Sequence, residues 1–331
     1  MSNNINWGKI YESTAWGSGV TDNNISWGKS YADLAGGGGF TGLLDTYSGA
    51  AAAYSLRQLS STYTGNAIKV RRSSDNAEQD IAFVNNELDT ASLESFSSGT
   101  DAFVTTWYDQ SGNSVDITQT NASKQPKIVL SGSTITESGK PSVFFAISNN
   151  YIYNSVGVDI TGNQGWSSYF AIRQPQQQDD STSEKAFASF GQEGRGTCVR
   201  FTLEQPDSSS VGLGIRVNAG NSLYESDNIS NSNLGLISWN LQDGHTNWGE
   251  YSDAFYNGSA QPQISAQAGA SVNYIKNYVG IGGGTGQSVS FSSSNAYSAD
   301  FYMSEMILFG VETLTNRTGI ETNINDFYSI Y

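Results

Sequence analysis

The first chemistry the sequence offers is a set of oxygen ligands. In the run Trp107-Tyr108-Asp109-Gln110-Ser111-Gly112-Asn113-Ser114-Val115-Asp116, the side chains of Asp109, Asn113 and Asp116 recur at a spacing that could wrap a hard cation such as Ca2+. The same residues spell an Asp-Gln-Ser-Gly turn in which the aspartate accepts from nearby backbone N–H groups, and this is the preferred reading. The expectation is therefore no cofactor, with Ca2+ as the alternative. Arg71, Arg72 and Asp75 could clamp a sugar acid in bidentate fashion, against a competing reading as paired charges at a strand end. The glycine run Gly280 to Gln287 looks like a phosphate cradle, but the lysine and the helix that such a loop needs do not follow. A tight sheet edge built of small residues is expected there instead.

His245 is the sole histidine, so zinc sites made of several imidazoles are excluded and a serine triad would depend on this one residue in a turn. Cys198 is the sole cysteine, which leaves neither an intrachain disulfide nor a thiolate cluster. Aromatic rings flanked by amides can hold sugar, the ring taking the CH face and the amides the hydroxyls. Of Trp107, Trp166, Trp239 and Trp248, the last lies in a polar loop and is the expected exposed one. Trp248, Tyr224, Asn218, Asn221, Arg71 and Arg72 are the candidate glycan-binding residues.

These residues need a scaffold, and composition points to an all-β one. Only 14% of the 331 residues are charged, and Gly (36) and Tyr (18) are abundant. A net charge of −15 argues against a phosphate-tracking nucleic-acid partner and against an anionic membrane surface. Neither a membrane-length apolar run nor an apolar signal core is evident, so the chain is expected to be made soluble and without the Sec export route.

From residue 67 onward, short β-rich runs such as AIKVRR, AFVTTWYD, SSYFAIRQ and FYMSEMILFG alternate with Gly, Asn, Ser and Asp clusters. They predict an antiparallel β-sandwich of jelly-roll type over residues 41–331. Two short helices are expected. One uses Ala50 to Ala53, Leu56 and Leu59; the other, near the C-terminus, uses Ile320, Ile324, Phe327 and Tyr328.

Residues 1–40 form a separate segment with a glycine hinge at Gly36 to Gly39. It repeats one phrase, NNINWGKIY from Asn3 and NNISWGKSY from Asn23. Two copies are too few for a solenoid, and a short strand pair with exposed aromatics needs another surface to complete it. Ile5, Trp7, Tyr11, Trp16, Ile25, Trp27 and Tyr31 are thus expected to anchor the chain to other proteins or to further copies of itself in a homo-oligomer.

Three motifs resemble a known family: Ala53-Tyr54-Ser55-Leu56-Arg57, Val70 to Asp75, and Trp107 to Asn113. Over Leu44 to Val129 the chain is similar to the catalytic domain of fungal α-L-arabinofuranosidase B and to the wider concanavalin A-like, laminin-G-like sandwiches. The resemblance implies a concanavalin A-like fold. It continues weakly through Gly214 to Tyr224 and Tyr278 to Gln287, which look like the strands bearing the family's two catalytic carboxylates.

A retaining glycosidase needs a nucleophile and an acid/base about 5 Å apart, both ionisable. Here the two positions align with Gly220 and Gly284, and Asn218 stands where the family has a further acid. Glu225 or Asp227 with Asp300 or Glu305 could supply a shifted pair. The Trp-Gly phrase is similar to virion proteins of tailed phages. Together these likenesses imply a non-catalytic virion-surface protein, a head fibre, capsid decoration or tail fibre component, displaying a lectin-like domain toward glycans. The alternatives are a glycoside hydrolase or depolymerase of arabinofuranosidase type and a bacterial carbohydrate-binding adhesion module.

Overall fold

Alternation of buried and exposed residues along short runs builds antiparallel ladders. In this computed structural model the described residues are 39–146, 150–173, 185–192, 198–207, 210–216, 222–226, 233–244, 252–261, 273–285, 291–292 and 300–331. The anchoring residues Ile5 to Tyr31 lie outside them. Thr41–Tyr331 forms one compact unit.

The chain opens with the short helix α1 (Leu43–Thr46) and strands β1 (Ala50–Ser55), β2 (Ile68–Arg72) and β3 (Glu78–Ile81). Helix α2 (Thr90–Ser97) leads to β4 (Ala102–Trp107), β5 (Ile117–Thr118), β6 (Lys127–Leu130), β7 (Val143–Phe145) and β8 (Ile152–Asn154). Longer strands follow: β9 (Trp166–Arg173), β10 (Lys185–Gly191), β11 (Cys198–Asp207), β12 (Ser210–Arg216), β13 (Ser222–Ser226), β14 (Gly235–Leu241) and β15 (Ser252–Tyr256). The series closes with β16 (Val279–Ile281), β17 (Gly284–Thr285), β18 (Phe291–Ser292), β19 (Phe301–Phe309) and helix α3 (Arg317–Tyr328).

In one sheet β19 is central. β1 and β7 lie end to end along one side of it, and β9, β14 and β15 follow on the other. The second sheet runs β3, β2, β4, β5, β8, β16, β10, β11, β12, β13. Strand β6, paired with β4 and through Phe144↔Lys127 with β7, joins the two. The ladders are antiparallel, as expected for the sandwich.

Between the sheets lies an aromatic core. Phe170 meets Phe187 edge-on with centroids 5.0 Å apart, and Trp166 meets Phe201 edge-on at 5.6 Å. The Trp166 indole N–H donates to the Tyr274 hydroxyl at 2.9 Å, so its one polar atom is satisfied at full burial. Each such ring contributes about 1.5–3 kcal/mol by leaving water.

A second cluster lies on the outer face of the β19 sheet. There α3 lays Ile320, Ile324 and Tyr328 over Tyr169, Leu236, Ile307 and Phe309. The C-terminal helix is therefore where its apolar stripe predicts. The helix expected over Ala50 to Leu59 is not: Ala50–Ser55 is strand β1, paired with β19 from Ala50↔Phe309 to Ser55↔Glu305. Ala52 and Tyr54 face the main core while Ala50 and Ala53 lie in the cluster under α3. A strand buried on both faces reads as a continuous apolar run, which periodicity cannot tell from a helix. Helix α2 was not anticipated, although Asp89 caps it by accepting from Ser92 N at 2.9 Å.

Candidate functional site

The turn at Asp109 ties three segments together. Its Oδ1 accepts from Ala53 N (2.8 Å) and Ser111 N (2.9 Å), and its Oδ2 from the Ser111 hydroxyl (2.6 Å) and Val115 N (3.1 Å). With four protein donors the carboxylate has no lone pair left for a cation. Asn113 turns its amide toward the Ala50 and Ala51 carbonyls, and Asp116 accepts from Asp109 N. These three residues thus bond to backbone groups and to the Ser111 hydroxyl, and among the described residues no cluster of His, Cys, Asp and Glu could hold a metal.

Gln110 completes the clasp. Its amide donates to the Ser55 and Arg57 carbonyls and its oxygen accepts from Leu59 N at 2.7 Å. The residues that carry the family resemblance therefore bond mainly to one another.

Arg71 is buried and bonded to Gln125, Asn76 and the Ala122 carbonyl. Arg72 forms a two-pronged pair with Asp75 at the strand end, and that hydrogen-bonded pair holds the Asp75 carboxyl well below the usual range. The paired-charge reading of this run describes its geometry.

Glu305 is buried on the α3 side of β19. It meets the Arg57 guanidinium through two bonds of 2.8 and 3.0 Å and accepts from the Ser55 hydroxyl at 2.7 Å and Tyr328 at 3.3 Å. Burial alone would lower the Arg57 pKa, but the adjoining Glu305 raises it, so the ion pair persists. Burial beside Glu305 also pushes the Tyr328 phenol well up. A carboxylate so enclosed cannot reach a substrate, which removes Glu305 from the possible acid/base residues.

Asp300 immediately precedes β19. Gly284 sits in β17 opposite Ser292 and has no ionisable group to offer. Asn218, Gly220, Asn221, Asp227 and Trp248 lie outside the described residues. Tyr224 is in β13, opposite Ile215.

The register of β11, β12 and β13 brings out a juxtaposition the sequence reading missed. Glu204 on β11 stands opposite Gly212 on β12, and Glu225 on β13 stands opposite Gly214 on the same strand. Two glutamates thus occupy positions on either side of one strand, each opposite a glycine. Strands two steps apart are separated by about 10 Å of backbone. The signal was available as the alternating glycines of VGLGIR, but pairing partners cannot be read from one strand alone.

A polar cleft of about 310 Å³ opens beside α1, lined among others by Asp45, Ser60, Thr62, Tyr63, Gln110 and Ser111. Burial works against the Asp45 charge, yet bonds from Ser61 N, the Ser60 hydroxyl and Gly42 N hold its carboxyl below the ordinary value. Gly42 is required there, because a Cβ would lie 2.1 Å from the Leu59 carbonyl oxygen. Burial, with help from Asp116 and Asp109, pushes Tyr63 up to about 12. The polar groups of the cleft largely serve the loop that forms it.

Comparison with known proteins bears on the chemistry. The sequence model of the family described as Alpha-L-arabinofuranosidase B, catalytic, matches residues 45–186. No curated protein sequence matches the chain significantly. Among solved structures the chain is similar to an arabinofuranosidase complexed with arabinofuranosyl-α-1,2-xylobiose. The TM-score is 0.62 at 16% identity, over 86% of this chain and 64% of that one. It is likewise similar to a GH54 α-L-arabinofuranosidase soaked with a cyclic sulfate inhibitor. There the TM-score is 0.63 at 16% identity, over 86% and 65% of the two chains.

At these identities the structural likeness establishes the fold, and this chain spans just under two thirds of the length of those enzymes. The match to the arabinofuranosidase B catalytic family runs against the expectation of a non-catalytic virion protein and corrects it. That expectation leaned on Gly220 and Gly284, a residue-by-residue alignment across the half of the chain where the likeness is weakest.

Proposed function

We propose that the protein is a glycoside hydrolase of α-L-arabinofuranosidase type that removes terminal furanosyl residues from a neutral polysaccharide. The observation that carries this reading is the match of the arabinofuranosidase B catalytic family to residues 45–186. The likeness of the whole sandwich to arabinofuranosidases supports it.

The chemistry requires one carboxyl group to protonate the departing glycosidic oxygen and a second carboxylate to attack the anomeric carbon or to activate water against it. Glu305 is committed to Arg57, so Glu204 and Glu225, flanking the glycines of β12, are the pair assigned to this task.

The test is release of 4-nitrophenol from 4-nitrophenyl α-L-arabinofuranoside by the full chain. Turnover is expected, with Glu204→Gln and Glu225→Gln each lowering kcat/KM by about 100-fold or more while leaving the unfolding midpoint unchanged. Azide should rescue the alanine variant of whichever residue is the nucleophile. Absence of turnover by the folded wild-type chain would overturn the reading. Full activity in both glutamine variants would move the chemistry to Asp300 or Asp227.

A further inference from the structure

The second sheet carries a straight row of polar and aromatic residues across its outward face, on the strands away from β11 to β13. Registers place Asp80 (β3) opposite Lys69 (β2), Lys69 opposite Thr106 (β4), Thr106 opposite Thr118 (β5), and Thr118 opposite Tyr153 (β8). The neighbours in sequence, Ile68, Ile81, Trp107, Ile117 and Ile152, are buried in the core. Alternation therefore turns the row outward, where Asp80 and Thr118 are exposed and the other three are half-buried.

At the far end the row widens into three rings. Tyr151 and Tyr153 have centroids 5.9 Å apart, and Tyr153 and Tyr278 are 6.2 Å apart. Opposite Tyr153 stands Gly280, which adds no side chain that would cover the ring's edge. At the near end the Tyr108 hydroxyl donates to Asp80 at 2.6 Å, which fixes that carboxylate in the row. Four inter-strand steps make the row roughly 19 Å long.

We infer that this row is a binding platform for a neutral, hydroxyl-rich polysaccharide chain laid across the strands. Tyrosine rings offer faces to sugar CH groups, while Thr106, Thr118, Asp80 and Lys69 offer donors and acceptors to hydroxyls. Lys69 and Asp80 face each other with opposite sign, so the row has no net charge to attract a polyanion, and the net charge of −15 repels one. Its apolar surface is limited to tyrosine rings interrupted by hydroxyls, unlike the contiguous apolar patch that a protein partner buries. The platform holds the polymer independently of cleavage and stands apart from the catalytic reading.

The test is native affinity electrophoresis of the full chain in gels containing soluble arabinoxylan, with polygalacturonate as the anionic contrast. Arabinoxylan should retard the wild type and polygalacturonate should not. Thr118→Arg, a change at an exposed position, and Tyr153→Ala should each weaken retardation about tenfold or more. Both should still hydrolyse the small aryl arabinofuranoside if the wild type does, and Glu225→Gln should bind like the wild type.

Wild-type mobility unaffected by arabinoxylan would overturn the inference. So would retention of full binding by Thr118→Arg, or stronger retardation by polygalacturonate. A wild type that binds but does not cleave the aryl substrate would count against the hydrolase reading alone.

Discussion

Two regions of one sandwich treat their polar residues in opposite ways. From Ala53 to Asp116, the side chains that a motif search selects are consumed largely by the protein's own backbone: Asp109 accepts three backbone N–H bonds and one from the Ser111 hydroxyl, and Gln110 makes three to backbone. On β11 to β13, Glu204 and Glu225 stand across from glycines. The most recognisable residues of the chain are thus its fasteners. A fastener keeps its identity because each bond constrains it, whereas a residue that works on a ligand can shift along a strand when its partner shifts too. A family signature dense in the first region is therefore strong evidence of architecture and says little about where the reacting groups sit.

The contrast can be broken most forcefully at Glu305. Changing Glu305→Gln leaves the Arg57 guanidinium buried without its counter-charge, and the expected loss is about 3–5 kcal/mol in urea unfolding. A loss below 1 kcal/mol would mean that Arg57 finds water and that the pair is no fastener.

The next effect belongs to Asp109. Asp109→Ala strands the Ala53, Ser111 and Val115 N–H groups and should cost about 2–3 kcal/mol by the same measurement.

The smallest is at Asp116, whose carboxyl is shifted upward. Burial is the main cause, reinforced by the Asp109 charge and opposed by the bond from Asp109 N. A carboxyl raised in the fold stabilises it while protonated, below the unfolded value of about 3.9, and loses that contribution as pH rises through the folded value. Asp116→Asn keeps the acceptor without the charge. Its melting temperature should exceed that of the wild type at pH 7 and match it near pH 3. A deficit at pH 7 would show that the charge itself holds the loop.

Part of the architecture was legible because one face of the strands around β2 is wet. Ile68, Val70 and Ile81 alternate with Lys69 and Asp80, and such alternation announces both the strand and its inward side. The α3 stripe was legible for the same reason at helical period. Strand β1 was not, since sheet partners and α3 cover both of its faces and erase the alternation.

The site was less legible still. Asp109, Asn113 and Asp116 have the spacing of ligands, but spacing does not reveal that Ala50, Ala51 and Ala53 will arrive from 56 or more residues away to use them. Glu204 drew no notice because only the pairing of β11 with β12 and of β12 with β13 makes its position meaningful.

The central strand of the β19 sheet carries one more consequence. Ser55 and Glu305, bonded to each other, are separated by 250 residues, so β1 leaves the ribosome long before its partner exists. Until β19 arrives, the alanine-rich strand and the edge of β9 that will face β19 are sticky edges with nothing to pair with. Contacts of such long range make folding slow, and they place the decisive step at the synthesis of β19. A ribosome stalled before Phe301 should therefore hold a nascent chain that chaperones bind and proteases cut, and release past Phe309 should let the sheet zip shut.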